Sequence, residues 1–232
     1  MEEPEQLPVH LIACRVFEHL VERNLPTDLA VQIQYLDYGL HQVPRNLRSA
    51  LQIAIDQIDQ PGLVILGYGL CGNGLHGIAS RKHILLAPRM DDCIAMLFGS
   101  YAEYRQQFES RPGTYFLTKG WLESGSHPLA EFQRYHQKYG LERATWLMDQ
   151  QYHHYRRLAF IAHHSTDLEQ YREKAIEVAK YCRRWGMDYE EIIGSDIFLR
   201  RLFEVALALD QADSDFIIVP PGAMLEQHHY LR

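Results

Sequence analysis

Apolar and polar positions fall into blocks along the chain that predict strands separated by helices. Val9-His10-Leu11-Ile12-Ala13 is a short apolar run of strand type, and residues 15–23 form a short helix closed by Asn24 and Pro26. Val31-Gln32-Ile33-Gln34-Tyr35-Leu36 alternates, which places this second strand nearer a sheet edge. Leu47, Leu51, Ile55 and Ile58 recur at helical spacing and predict a helix over 44–58. Gly62-Leu63-Val64-Ile65-Leu66 is unbroken and apolar, as a strand buried on both faces should be. A glycine-rich turn and a short helix follow it. His83-Ile84-Leu85-Leu86-Ala87 is a fourth strand, leading into a helix over 92–108 with Asp91 or Asp92 as its N-cap.

The middle of the chain changes character. Pro112-Gly113-Thr114-Tyr115-Phe116-Leu117-Thr118-Lys119-Gly120-Trp121 reads as a turn and a strand, and residues 126–155 are polar, aromatic and rich in His, with helical stretches. The strand–helix pattern then resumes with strands at 158–163, 187–193 and 216–219 and helices over 167–185 and 196–209. This order predicts an α/β fold, a mostly parallel sheet with helices on both faces. It reads as one α/β domain over 1–232. Two lobes, 1–125 and 156–232, fit within it, with 126–155 as a helical cover over one end of the sheet.

Composition narrows the partners. A net charge of -7 and the lack of a basic stripe argue against nucleic acid. The start, Met1-Glu2-Glu3-Pro4-Glu5, is acidic where a signal peptide would be positive, and no apolar run is long enough to cross a bilayer. A cytoplasmic protein with no membrane partner is expected, in a compartment where thiols stay reduced. Four cysteines there are read as buried, metal-bound or catalytic. Their local spacing matches no zinc ribbon or CxxC pattern.

Their placement relative to the strands is more informative. Cys14 ends the first strand, Cys71 follows the third and Cys93 follows the fourth. In a parallel sheet those positions share the carboxyl edge, where open α/β folds bind ligands. Small apolar Cys also packs well at buried helix starts, which explains one such placement more easily than three. Three thiolates would make a soft site for zinc or an iron–sulfur cluster, with a fourth position open to water or substrate. A helix beginning after Cys71 would favour its thiolate. Cys182, inside an amphipathic helix, reads as packing.

Other groups are expected around that centre. Glu18 is one helical turn beyond Cys14 and is a candidate acid or base, or simply an exposed helix charge. His41, in Tyr38-Gly39-Leu40-His41, is an acid/base or ligand candidate against the alternative of a surface His. Arg89 is a candidate clamp for an anionic substrate, and Asp92 a supporting partner of Cys93 or only a cap. Gly69, Gly72, Asn73 and Gly74 form a turn that a cofactor or substrate could approach closely. This turn offers G-x-G-x-x-G only as Gly67, Gly69 and Gly72, and it lacks the Lys-Ser/Thr ending of a P-loop. A cysteine hydrolase, with Cys71 as nucleophile and His41 or His163 as base, is a further reading that leaves Cys14 and Cys93 unexplained.

Gly67-Tyr68-Gly69-Leu70-Cys71-Gly72-Asn73-Gly74, Pro88-Arg89, Asp92-Cys93-Ile94 and Gly99-Ser100 together resemble a bacterial and archaeal family, that of domain of unknown function 1638. Tyr38-Gly39-Leu40-His41, Pro112-Gly113-Thr114-Tyr115 and Gly120-Trp121 extend the resemblance over most of the chain. Members often carry His before the Asp-Cys pair, where this chain has Asp91. The resemblance implies a link with methyl transfer and corrinoid metabolism.

The expected function is therefore a metal-dependent transferase or lyase acting on a small molecule by group or methyl transfer. The alternatives are a metal or corrinoid accessory protein serving a methyltransferase, and the metal-free hydrolase. A homo-oligomer is compatible with each.

Overall fold

The structure, a computed structural model, describes residues 7–232. Its strands and helices alternate as the apolar pattern predicts. In chain order they are β1 (Val9–Cys14), α1 (Glu18–Asn24), β2 (Val31–Leu36), α2 (Pro44–Asp56), β3 (Leu63–Gly67), β4 (Ile78–Ala79), β5 (Ile84–Pro88), α3 (Cys93–Leu97) and α4 (Tyr101–Ser110). There follow β6 (Thr114–Thr118), α5 (Lys119–Ser124), α6 (Pro128–Tyr139), α7 (Leu141–Tyr152), β7 (Arg157–Ala162), α8 (Ser165–Cys182), β8 (Asp188–Ile193), α9 (Ile197–Leu207), β9 (Phe216–Val219) and β10 (Met224–Leu225). They form two compact units. One comprises the residues up to Tyr101 together with Asp196–Arg232; the other is Ala102–Ser195.

This division differs from lobes at 1–125 and 156–232. The chain returns to its first unit at Asp196, because the apolar face of α9 (Phe198, Leu199, Leu202, Phe203) is buried there and α9 packs against α1 and α3. Residues 126–155 become α6 and α7. They belong to the core of the second unit, where Met148 and Tyr152 are buried among its strands and α8.

The first unit is built on a five-stranded sheet of order β2-β1-β3-β5-β9, in which the first four strands are parallel and β9 runs antiparallel to β5. Every residue of β3 is buried, which accounts for its unbroken apolar sequence. The alternating strand β2 takes an edge, with Gln32, Ile33 and Gln34 exposed. From β1 the chain passes to β2 on one side, and α2 then returns it to β3 on the other. The carboxyl ends of β1 and β3 therefore flank the reversal of strand order, where open sheets of this type leave a crevice.

Two expected helices differ. Residues 92–108 form α3 and α4 rather than one helix, because Gly99 takes the left-handed conformation (φ 79°) that ends a helix. No helix begins after Cys71; turns occupy that stretch. The pair β4 and β10, antiparallel and two residues each, has no signal in the apolar pattern. It ties the chain end to the turn after Cys71, with Gly77 N–H donating to the Leu225 carbonyl (2.7 Å) and Ser80 Oγ to that of Pro220 (2.8 Å).

The second unit has its own parallel sheet, β6-β7-β8, with a core that includes Leu117, Leu158, Phe160, Tyr171 and Cys182. Cys182 is therefore packing within that core. His127 caps α6, its Nδ1 accepting the Ala130 N–H (3.3 Å), and burial together with the Arg134 charge lowers its pKa to about 4. The unfolded value is near 6.5. The neutral ring thus stabilises the fold fully above pH 6.5, and this contribution is lost as pH falls toward 4. Discounted for partial exposure, the loss is about 1–2 kcal/mol. Denaturant titrations at pH 7 and pH 5 should show that the His127→Asn variant, which keeps a cap but does not titrate, loses less stability on acidification than the unmodified chain.

Candidate metal centre at the carboxyl edge of the first sheet

The loops after β3 and β5 run side by side at the carboxyl edge. Leu70 N–H donates to the Met90 carbonyl (2.8 Å) and Cys71 N–H to that of Asp91 (2.9 Å). Their close approach requires Gly69: a Cβ there would stand 2.6–2.7 Å from the Asp92 backbone. Cys71, Gly72 and Asn73 are then consecutively left-handed, with φ of 48°, 64° and 70°. For a non-glycine residue that conformation costs about 1–2 kcal/mol, and such strain concentrates at functional sites.

These contacts place Cys71 Sγ 3.3 Å from Cys93 Sγ, although 22 residues separate them. Asp92 caps α3, its Oδ1 accepting the N–H groups of Ile94 (2.8 Å) and Ala95 (3.2 Å), and so fixes where Cys93 enters the helix. Cys14, at the end of the neighbouring β1, is buried and acts electrostatically on Cys93, as Cys71 does on Cys14. All four cysteines are free thiols. Among the described residues, no group of three or more His, Cys, Asp or Glu side chains already has the arrangement of a metal site.

Two of the thiols, Cys14 and Cys93, are held neutral. Burial pushes Cys14 up to about 12, against the opposing Val16 N–H and Arg15. Cys93 is pushed well above the ordinary thiol value by its contact with Cys71 and then by burial, with the Gly69 N–H opposing. The helix start expected after Cys71 is not there: turns follow that residue. A bound cation is what would displace such protons.

The other expected residues divide. His41 lies in a 3-10 turn, within electrostatic reach of Asp92; desolvation lowers its pKa while a hydrogen bond with the Tyr38 backbone and the Asp92 charge oppose. Glu18, the first residue of α1, is paired with Arg15 (3.2 Å). Arg89 does not present an open clamp. Its Nη2 donates to the Leu231 carbonyl and its Nη1 reaches that of Ser214 (3.5 Å), so it holds the chain end. Gly72 and Asn73 serve the turn by their left-handed backbone, and Gly74 lies against Leu47, which a Cβ would meet at 2.6 Å.

Two residues beside the thiols escape the sequence pattern. Tyr68 and Tyr230 are 2% and 6% exposed, and among the described residues neither hydroxyl has a hydrogen-bond partner. Burial above all raises the Tyr68 pKa, with electrostatic coupling to Cys14, Cys93 and Cys71 adding to it; burial, then coupling to Cys71 and Cys93, raises that of Tyr230. Tyr68 stands inside the glycine-rich motif but carries no spacing signal. Tyr230 reaches the site because β10 and Arg89 fold the chain end back over it.

An α/β unit with free thiols gathered at its sheet edge is thus the class of protein these features define. The chain belongs to the family described as Protein of unknown function (DUF1638), whose model matches residues 35–202. That stretch contains Cys71 and Cys93, while Cys14 and Tyr230 lie outside it. No curated protein and no solved structure matches the chain. Among the described residues, no helix is long and apolar enough to cross a membrane.

Proposed function

We propose that Cys14, Cys71 and Cys93 hold one soft metal centre, zinc or an iron–sulfur cluster, at which a small molecule undergoes group transfer. The observation that carries the reading is the 3.3 Å approach of two free thiols from separate strand ends, with a third thiol on the adjacent strand end within their electrostatic field. The fit is close. Tetrahedral zinc with bonds near 2.3 Å separates its sulfurs by about 3.8 Å, so the pair needs to open by only about half an ångström. The reading requires Cys14 to turn toward the pair.

Three sulfur ligands leave one position for substrate, and a metal there would activate a bound nucleophile or polarise a bound group. The chain's own residues supply the setting. Asp92 orients Cys93 through the α3 cap, Gly69 keeps the two loops in register, and His41 stands near Asp92 as a proton carrier. A reducing, cytoplasmic setting suits four free thiols, and the methyl-transfer and corrinoid link of the resemblance suits a small-molecule or methyltransferase partner. Metal analysis with an absorption spectrum of anaerobically purified protein tests this. A brown chromophore with iron and sulfide indicates the cluster, and a colourless protein with one zinc indicates the other centre. Protein that takes up neither, with reactivity resting on Cys71 alone, contradicts both and favours the hydrolase.

A further inference from the structure

Resting on the three-thiol reading, the geometry points to Tyr68 and Tyr230 as ligand-binding residues whose hydroxyls donate hydrogen bonds to a small thiolate bound at the Cys14–Cys71–Cys93 centre. A buried hydroxyl without a partner is unfavourable. Two of them, on segments far apart in the chain and both beside the same thiols, are an arrangement that folding alone does not require. A ligand accepting from both removes the penalty.

The surroundings select the ligand's chemistry. A carboxylate or phosphate is ordinarily held by a guanidinium fork. Here the arginine whose charge acts on Cys14 is Arg15, and it is paired with Glu18. Arg89 turns both Nη atoms to the carbonyls of Ser214 and Leu231; only its Nε, buried and without a hydrogen-bond partner among the described residues, is left, so it presents no two-pronged fork. The groups acting on Tyr230 are the thiols of Cys71 and Cys93. What remains beside the thiols is a pair of buried O–H donors. It suits a ligand whose negative charge sits on one soft atom, since a soft metal prefers sulfur and the phenols can share that single acceptor. The thiol gives up its proton to solvent as it binds the metal, so no oxidant or reductant is involved.

The test uses the full chain, loaded with Co(II) in place of zinc in thiol-free buffer. 2-Mercaptoethanol is titrated while the sulfur-to-cobalt absorption is followed, with acetate in a parallel arm. Saturable spectral change with the thiol and none with acetate is expected. Tyr68→Phe and Tyr230→Phe should each weaken thiol binding about tenfold or more, the loss expected for a hydrogen bond to a charged acceptor. Both variants should keep their cobalt affinity and melt no lower than the unmodified chain; a purely structural tyrosine would lower the melting temperature and leave thiol affinity alone. Cobalt bound with no thiol response, equal binding of acetate, or unchanged affinity in both variants overturns this inference and leaves the metal centre standing. Failure to bind cobalt at all overturns the metal centre, and this inference with it.

Discussion

Cys93→Ser and Cys71→Ser should each lower metal affinity by about a thousandfold, enough to leave the variants empty after gel filtration. A structural zinc site contributes on the order of 12 kcal/mol of binding, and removing one of three protein ligands forfeits roughly a third of it. A serine hydroxyl is a poor ligand for a soft ion, so it does not restore the loss. Cys14→Ser is the sharper variant, because a centre made by the 3.3 Å pair alone would be indifferent to it. Equal loss in all three variants is expected when metal content is measured by mass spectrometry. Cys182→Ala, in the core of the second unit, should keep its metal. Loss confined to Cys71 and Cys93 would remove Cys14 from the site.

Gly69→Ala should be the most damaging single-methyl change in the turn. The added Cβ would meet the carbonyl carbon, Cα and oxygen of Asp92 at 2.6–2.7 Å, and backbone cannot rotate out of its way. The two loops must separate, which breaks the Leu70–Met90 and Cys71–Asp91 hydrogen bonds and parts the sulfur pair. Overpacking and two lost backbone bonds together amount to about 3–5 kcal/mol. For a chain of this size that lowers the melting temperature by roughly 6–20 °C. Gly72→Ala serves as comparison. Its Cβ would meet only Pro44 Cγ, at 3.3 Å, so the left-handed φ is the main penalty, about 1 kcal/mol. Calorimetry on the two variants should reproduce that order. A Gly69→Ala protein as stable as Gly72→Ala would mean that the loops are not held as described.

The positions of Cys14, Cys71 and Cys93 were legible because each follows an apolar run that can only be a buried strand, and parallel strands bring such ends to one edge. Asp92 was legible as a cap because its side chain acts on the residues just after it. What could not be read lay in contacts without periodicity. Arg89 is directed by backbone carbonyls of Ser214 and Leu231, and any residue type can supply a carbonyl. Tyr230 arrives through a two-residue strand pair too short to leave an alternating pattern. The helix expected over 92–108 failed at Gly99, since a single glycine inside an otherwise helical stretch is equally compatible with continuation. The return of α9 to the first unit was hidden for a related reason: an amphipathic helix declares that it has an apolar face, not which sheet will cover it.

The central claim is that three cysteine sulfurs bind one metal, and X-ray absorption on the anaerobically zinc-loaded protein tests it most directly. A shell containing three sulfurs near 2.3 Å is the expected result, falling to two in Cys14→Ser. A shell of nitrogen and oxygen, or of two sulfurs in the unmodified chain, would contradict it.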